Sequence, residues 1–273
     1  MEELLQDTYN LEDERFVSLK ECLKNQKIKD NLAVPLGKSD KEYHSIDFRD
    51  IPCLLVTGET GSGKSVFLDS IIVSLLIKNT PKDINFIMID PKKIELKYYE
   101  DLIYTASNVI SNKEESKDVL KYIYLTYQRR KELLKEQNIE NYNKKDENTS
   151  LYHLFVIIDE SSDLMKVEGS LELLKEMTDD CDKLGIHFII ATNNPYEESF
   201  DKEWINSIKY KVTFDLTSRA EASWISIRHS QNLSTPGTAI VKSVPQNIRL
   251  KVQTPYISDE DILKVVNEKR NNE

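Results

Sequence analysis

Several things are scarce in this chain, and each scarcity closes off a class of protein. Long apolar runs are missing: stretches such as 71–73 with 75–77 fall far short of the roughly 20 residues a membrane-spanning helix needs. A basic leader is missing too, since Met1-Glu2-Glu3 is acidic where a signal peptide carries lysine or arginine. Cysteine is sparse. Cys22, Cys53 and Cys181 are odd in number and far apart, which fits reduced, buried thiols rather than a disulfide framework. These features lead us to expect a soluble, cytoplasmic protein. Excess positive charge is also lacking: 37 Lys and Arg against 47 Asp and Glu leave a net charge of −10. A surface of that sign cannot neutralise nucleic-acid phosphates as a whole, so any contact with DNA must be local. The four histidines, His44, His153, His187 and His229, show no metal-ligand spacing. Glycine is rare, seven in all, yet three of the seven fall between positions 58 and 63.

What is present is enough apolar sequence, 39% of 273 residues, for one principal domain with short appendages. Phe16, Leu19 and Leu23 fall at roughly helical spacing among charged residues, predicting an amphipathic helix. A short β-like stretch at Leu32-Ala33-Val34 follows, then the turn-rich Ser39-Asp40-Lys41-Glu42. We take residues 1–35 as a helical and β attachment and 36–273 as the main domain. From Cys53 the pattern becomes short apolar runs separated by helical stretches, predicting an α/β fold with a mainly parallel sheet joined by crossover helices. Strands are expected over 54–57, 85–89, 154–158, 187–191 and 211–214, and helices over 65–78, 113–137 and 170–184. Near the end, 238–242 and 248–252 flank Pro245-Gln246-Asn247 as an antiparallel hairpin, and Ser258 opens a last helix. The polar stretch 138–150 reads as a solvated loop.

The clustered glycines belong to Gly58-Glu59-Thr60-Gly61-Ser62-Gly63-Lys64-Ser65, a phosphate-binding P-loop between a predicted strand and a predicted helix. The backbone of such a loop wraps phosphates with its N–H groups, and a β-carbon at several positions would obstruct it. Lys64 then lies near the β- and γ-phosphates of ATP, Ser65 offers its hydroxyl to Mg²⁺, and the following helix points its N-terminus at the same anion. Hydrolysis needs more: a carboxylate for the metal and one to orient water. Phe155-Val156-Ile157-Ile158 place Asp159 and Glu160 at the C-terminal end of a buried strand, giving Asp159 the metal and Glu160 the water. Another strand ends in Thr192-Asn193-Asn194-Pro195, where Asn193 can report the γ-phosphate.

The chain resembles the FtsK/SpoIIIE family of DNA-pumping ATPases. The similarity starts at Leu36-Gly37-Lys38 and runs through the P-loop to Asp90-Pro91-Lys92 with Glu95-Leu96. It continues through Arg129-Arg130, Asp159-Glu160 with Asp163-Leu164-Met165, and Gly185-Ile186-His187. The resemblance implies a RecA-like motor that assembles into a ring, commonly a hexamer, around double-stranded DNA. It also implies that membrane anchoring or DNA loading falls to a partner protein, since the membrane-spanning and winged-helix regions of such proteins have no counterpart here.

Three departures stand out. Asn193 and Asn194 occupy positions where the family usually shows Gln and Arg. Asp180 and Asp182 replace the Lys and Arg usual before Gly185, and they cannot stabilise a transferring phosphoryl group. Glu197, Glu198, Asp201 and Glu203 crowd the stretch expected to approach DNA, with Lys202, Lys209 and Lys211 to offset them. Alternatives therefore stay open: an ATP-binding assembly subunit with weak hydrolysis, or a motor of a protein-secretion system.

Overall fold

The computed structural model describes residues 2–6, 16–40, 42–144, 151–195, 200–233 and 235–271. In chain order the elements are β1 (Val17–Ser18), α1 (Leu19–Asn25), β2 (Ala33–Ser39), β3 (Glu42–Asp47), β4 (Cys53–Thr57), α2 (Lys64–Lys78), β5 (Ile84–Ile89), α3 (Lys113–Glu136), β6 (His153–Ile158), α4 (Ser162–Met165), α5 (Ser170–Met177), β7 (Ile186–Thr192), α6 (Lys202–Ser207), β8 (Tyr210–Thr213), α7 (Arg219–Trp224), β9 (Thr238–Ser243), β10 (Ile248–Gln253), β11 (Pro255–Tyr256) and α8 (Asp259–Asn271). They form two compact units. The first gathers Met1–Asp47, Val56–Thr80 and Lys209–Glu273, and the second Phe48–Leu55 with Pro81–Ile208. Among the described residues no helix is long and apolar enough to cross a membrane.

In the second unit β5, β6 and β7 pair in parallel, with β6 in the middle. Their near-continuous apolar sequences follow from burial on both faces, as parallel strands covered by helices require. The register sets Ile89 beside Ile158 and Ile158 beside Ile190, so the residues just past the strands emerge side by side. Helix α3 buries Ser116, Leu120, Ile123, Tyr127, Arg130 and Leu134, a stripe spaced by three and four residues. Arg130 lies within that stripe with its charge answered by backbone: Nη1 donates to the carbonyls of Leu184 (3.0 Å) and Gly185 (2.9 Å).

Apart from the short parallel pair β1 and β11, the first unit pairs its strands antiparallel. The antiparallel strands run in the order β3, β2, β10, β9, β8. β10 alternates half-buried Ile248 and Leu250 with exposed Arg249 and Lys251, the period of a strand with one wet face. Helix α2 is apolar on nearly every side and packs against β2, β11 and α8. Its last turn is tied down by Lys78, whose Nζ donates to the carbonyl of Ala33 (2.6 Å).

The expected strands and the C-terminal hairpin are found with ends shifted by one or two residues. Several expectations need correction. The helix predicted over 170–184 is broken: α5 stops at Met177 and a 3₁₀ turn takes Cys181–Leu184. Thr178 Oγ1 bonds back to the Leu174 carbonyl (2.8 Å) and Asp180 Oδ1 accepts from the Tyr127 hydroxyl (2.8 Å), so side chains draw the backbone out of the helix. The strand predicted over 211–214 pairs antiparallel with β9, whereas we expected it in the parallel series. Phe16 precedes α1 and packs edge-on against Tyr256 at 5.7 Å, because Val17 and Ser18 form a strand beside β11. β3 was not predicted. β2 extends the β-like stretch expected at Leu32-Ala33-Val34 to Ser39. In the two turn-rich stretches, Lys41 and 145–150 lie outside the described residues.

Candidate functional site

The P-loop belongs to the first unit and is wedged between two other segments of it. Phe214 N donates to the Thr57 carbonyl and Glu59 N to the Asp215 carbonyl, both at 2.8 Å, while Gly237 N donates to the Ser62 carbonyl at the same distance. Two glycines are explained by those neighbours. A Cβ on Gly58 (φ +150°) would lie 2.6 Å from Phe214 Cβ, and one on Gly63 (φ +112°) 2.8 Å from Gly237 N. Glu59 and Ser62 close a turn (Ser62 N to Glu59 O, 3.1 Å), and exposed Thr60 and Gly61 form its tip. Lys64 opens α2 and is buried, with Nζ reaching back to the Glu59 carbonyl at 2.8 Å. That places a cation under the turn, where an anion held by the loop would meet it. Ser65, half-buried, follows it in the first turn of α2. The buried Ser62 Oγ has no hydrogen-bond partner, an open polar valence inside the loop.

In the second unit the chemistry collects beyond the C-terminal ends of β5, β6 and β7, where ligands gather in parallel sheets. Backbone bonds fix the level: Asp159 N donates to Ile89 O and Ser161 N to Ala191 O, both at 2.9 Å. Asp159 is 9% exposed, and its carboxyl is pushed up to about 6. Burial is the main cause, followed by the nearby Asp90, Glu95 and Glu160 carboxylates. Among the described residues no group of three or more His, Cys, Asp or Glu side chains is set to hold a metal. Glu160 sits in the left-handed region (φ 47°), a turn that brings its side chain across the strand ends. Its Oε1 accepts from Ser162 Oγ (3.0 Å), and its Oε2 accepts from Asn193 Nδ2 and lies 3.4 Å from Lys92 Nζ. Asn193 thus meets Glu160 directly.

The departures noted in the sequence have structural roles of their own. Asp180 is taken up by Tyr127, and partial burial raises the Asp182 carboxyl, so acidic groups stand where the resemblance implies cations. Asp201 caps α6 through Trp204 N (2.8 Å) and pairs with Lys175 (2.6 Å). Lys202 is exposed, whereas Lys211 is 2% exposed and reaches the Ile225 carbonyl (3.3 Å). Glu197 and Glu198 lie outside the described residues. Sequence reasoning passed over Lys92 and Ser162 at Glu160; the signal available was a lysine two positions past Asp90 and a serine two positions past Glu160. It also passed over a cleft of about 390 Å³ in the first unit lined by Arg219, Arg228, His229 and Gln231.

Comparison with known proteins draws these observations together. A model of the FtsK/SpoIIIE family matches residues 18–152. The DNA translocase FtsK of Caldanaerobacter subterraneus subsp. tengcongensis is 32% identical over 261 residues, covering 92% of this chain and 37% of that protein. The DNA translocase FtsK of Lactococcus lactis subsp. lactis is 31% identical, with 86% and 33% covered. This chain therefore spans about a third of the length of the curated relatives it matches. Among solved structures, EssC (ATPases 2 and 3) from Geobacillus thermodenitrificans superposes with a TM-score of 0.75 at 19% identity, over 88% of this chain and 48% of that one. The pCW3 conjugation coupling protein TcpA with ATPγS gives 0.73 at 21%, over 90% and 71%. Both likenesses are of fold, the RecA-like P-loop ATPase fold. With family model, curated relatives and fold in agreement, the chain belongs to the FtsK/SpoIIIE family.

Proposed function

We propose that this chain is an ATP-hydrolysing motor that moves double-stranded DNA as a ring of identical copies, a hexamer, in the cytoplasm, serving a mobile element or conjugation system. The observation that carries the reading is Glu160, a carboxylate beside Asp159 at the strand ends, aimed by three donors in a chain that also holds a formed P-loop. In this reading residues 36–273 are the motor and 1–35 its attachment. Gly58, Glu59, Thr60, Gly61, Ser62, Gly63, Lys64 and Ser65 bind the triphosphate. Ser65 and Asp159 are the Mg²⁺ ligands, Glu160 orients the attacking water, and Asn193 reports the γ-phosphate. Bound Mg²⁺ supplies charge neutralisation at the phosphates. Lys64 and the loop amides do the same from the protein side. The exposed Arg219 and Arg228 offer local phosphate recognition on an otherwise acidic surface. A membrane-anchored or DNA-loading protein is the expected partner.

A second reading, an ATP-binding assembly subunit with weak hydrolysis, is favoured by the engagement of Asp180 and by a half-buried carboxylate at Asp182, where a positive charge supplied to a neighbouring copy would be needed. A protein-secretion motor shares the fold of EssC and is the third. One experiment separates them: ATP turnover with and without double-stranded DNA, run beside mass measurement in ATP, for the native chain, Lys64→Ala and Glu160→Gln. DNA-stimulated turnover lost in both variants supports the motor. ATP-dependent assembly that survives Glu160→Gln, with negligible turnover throughout, supports the second reading and sinks the first. Turnover stimulated by a polypeptide and indifferent to DNA supports the third.

A further inference from the structure

We propose that Lys92 is a positioning residue for Glu160, held in place by the buried carboxylate of Asp90. The inference rests on the reading of Glu160 as the residue that orients water. Asp90 follows β5 directly and is fully buried. Its Oδ1 accepts from Lys92 N (3.0 Å), and its Oδ2 accepts from the N–H groups of Ile94 (2.9 Å), Glu95 (3.0 Å) and Leu96 (3.2 Å). Four amides on one carboxylate fix the course of the backbone from 90 to 96, including Lys93 in the left-handed region (φ 51°). Lys92 leaves that braced segment with its ammonium 3.4 Å from Glu160 Oε2.

The three groups that hold Glu160 differ in kind. Ser162 and Asn193 are neutral and short, so their contacts are set by the backbone around them. Lys92 alone of the three carries charge and a long flexible stem. Its side chain is 55% exposed against 13% for Glu160. It therefore pulls the carboxylate toward the mouth of the site while leaving it able to turn, which neutral donors on rigid segments cannot do. Glu160 sits in a backbone conformation that a non-glycine residue adopts only when its surroundings insist, so losing one restraint lets it drift from its aim. A displacement of about 1 Å at a water-orienting group costs turnover without touching nucleotide affinity. A lysine that instead contacted phosphate would show the reverse.

The test uses the full chain as native protein, Lys92→Met, Lys92→Arg, Asn193→Ala and the Lys92→Met/Asn193→Ala double variant. Three quantities are read: steady-state turnover with double-stranded DNA, affinity for a fluorescent ATP analogue, and hydrogen–deuterium exchange of the segment 157–165. Lys92→Met is expected to lower kcat by about tenfold or more while affinity changes by less than about twofold, with Lys92→Arg restoring most of the loss. Its effect should shrink in the Asn193→Ala background, because both act on one oxygen. Exchange across 159–162 should quicken in Lys92→Met and recover in Lys92→Arg. An unchanged kcat, a loss confined to affinity, or no rescue by arginine overturns the assignment. If the native chain turns over no ATP, the proposed function fails by itself, and the exchange data still decide: unaltered protection in Lys92→Met overturns the positioning role.

Discussion

Gly237 and Gly63 back onto each other so closely that a Cβ on Gly63 would meet Gly237 N at 2.8 Å and its Cα at 2.9 Å. Gly237 in turn donates its N–H to the Ser62 carbonyl. The phosphate loop therefore owes its shape partly to a residue over 170 positions further along the chain. Gly237→Ala places a side chain at φ +78°, and relieving that strain moves the amide bonded to Ser62, so we expect the loop to shift and ATP affinity to fall about tenfold or more. Gly169→Ala is the contrast: it carries comparable strain (φ +84°) with nothing within 4 Å and lies outside the loop, so affinity should change far less. Titration with a fluorescent nucleotide ranks the two, and equal losses would refute the role of Gly237.

Asp159 offers a second prediction, with opposite signs for stability and activity. Its folded-state pKa of about 6 lies above the ordinary 3.8, so the ionised group opposes folding. That penalty is absent below about pH 4, grows as pH rises, and is complete above about pH 6. Asp159→Asn is expected to stabilise the nucleotide-free protein by about 1–3 kcal/mol near neutral pH and to change little near pH 4, while abolishing Mg²⁺-dependent turnover. Urea unfolding at the two pH values, beside an ATPase assay, checks both halves.

His187 gives the reverse slope. It is fully buried, donates through Nδ1 to the Ile51 carbonyl (3.1 Å) and meets His153 at 3.0 Å through Nε2, and burial holds its pKa down to about 4. A base whose pKa is depressed by folding contributes stability that is present above its ordinary 6.5 and is lost as pH falls toward 4. The contribution at stake is about 3 kcal/mol. His187→Asn should flatten the dependence of unfolding free energy on pH between those limits, and a slope equal to that of the native chain would count against it.

Arg130 is the fourth. Its guanidinium, 4% exposed, satisfies the Leu184 and Gly185 carbonyls and stacks 5.1 Å from the Tyr152 ring centre. Arg130→Met strands two buried acceptors and should cost about 2–4 kcal/mol in chemical denaturation. Arg130→Lys should fall between, since an ammonium lacks the planar face that stacks on Tyr152.

Much of this was legible in the residues. Buried strands such as β6 announce themselves as unbroken apolar runs, and a loop that folds round phosphates needs its glycines and lysine at fixed offsets. β3 was hidden because Ile46 is its sole buried residue, leaving no alternation to read. The break after Met177 was hidden because no glycine or proline marks it; a Thr side chain and a hydroxyl from Tyr127, 53 positions away from Asp180, make it. The meeting of Asn193 with Glu160 spans 33 positions and arises from the register of β6 with β7, which no local pattern encodes.

The discontinuity of the first unit governs the order in which the protein can mature. The second unit is almost one continuous stretch, 81–208, and its parallel strands can associate once that stretch has left the ribosome. The first unit must wait. β2 pairs early with β3 but meets β10 only at Gln253, and the phosphate loop, made early, stays unsupported until Phe214 and Gly237 arrive. Such distant pairings are slow to form because a long loop must close before any contact rewards it. Competence to bind nucleotide is thus among the last properties a nascent chain acquires, so a ribosome-stalled product lacking the segment beyond 208 would carry the motif without the site.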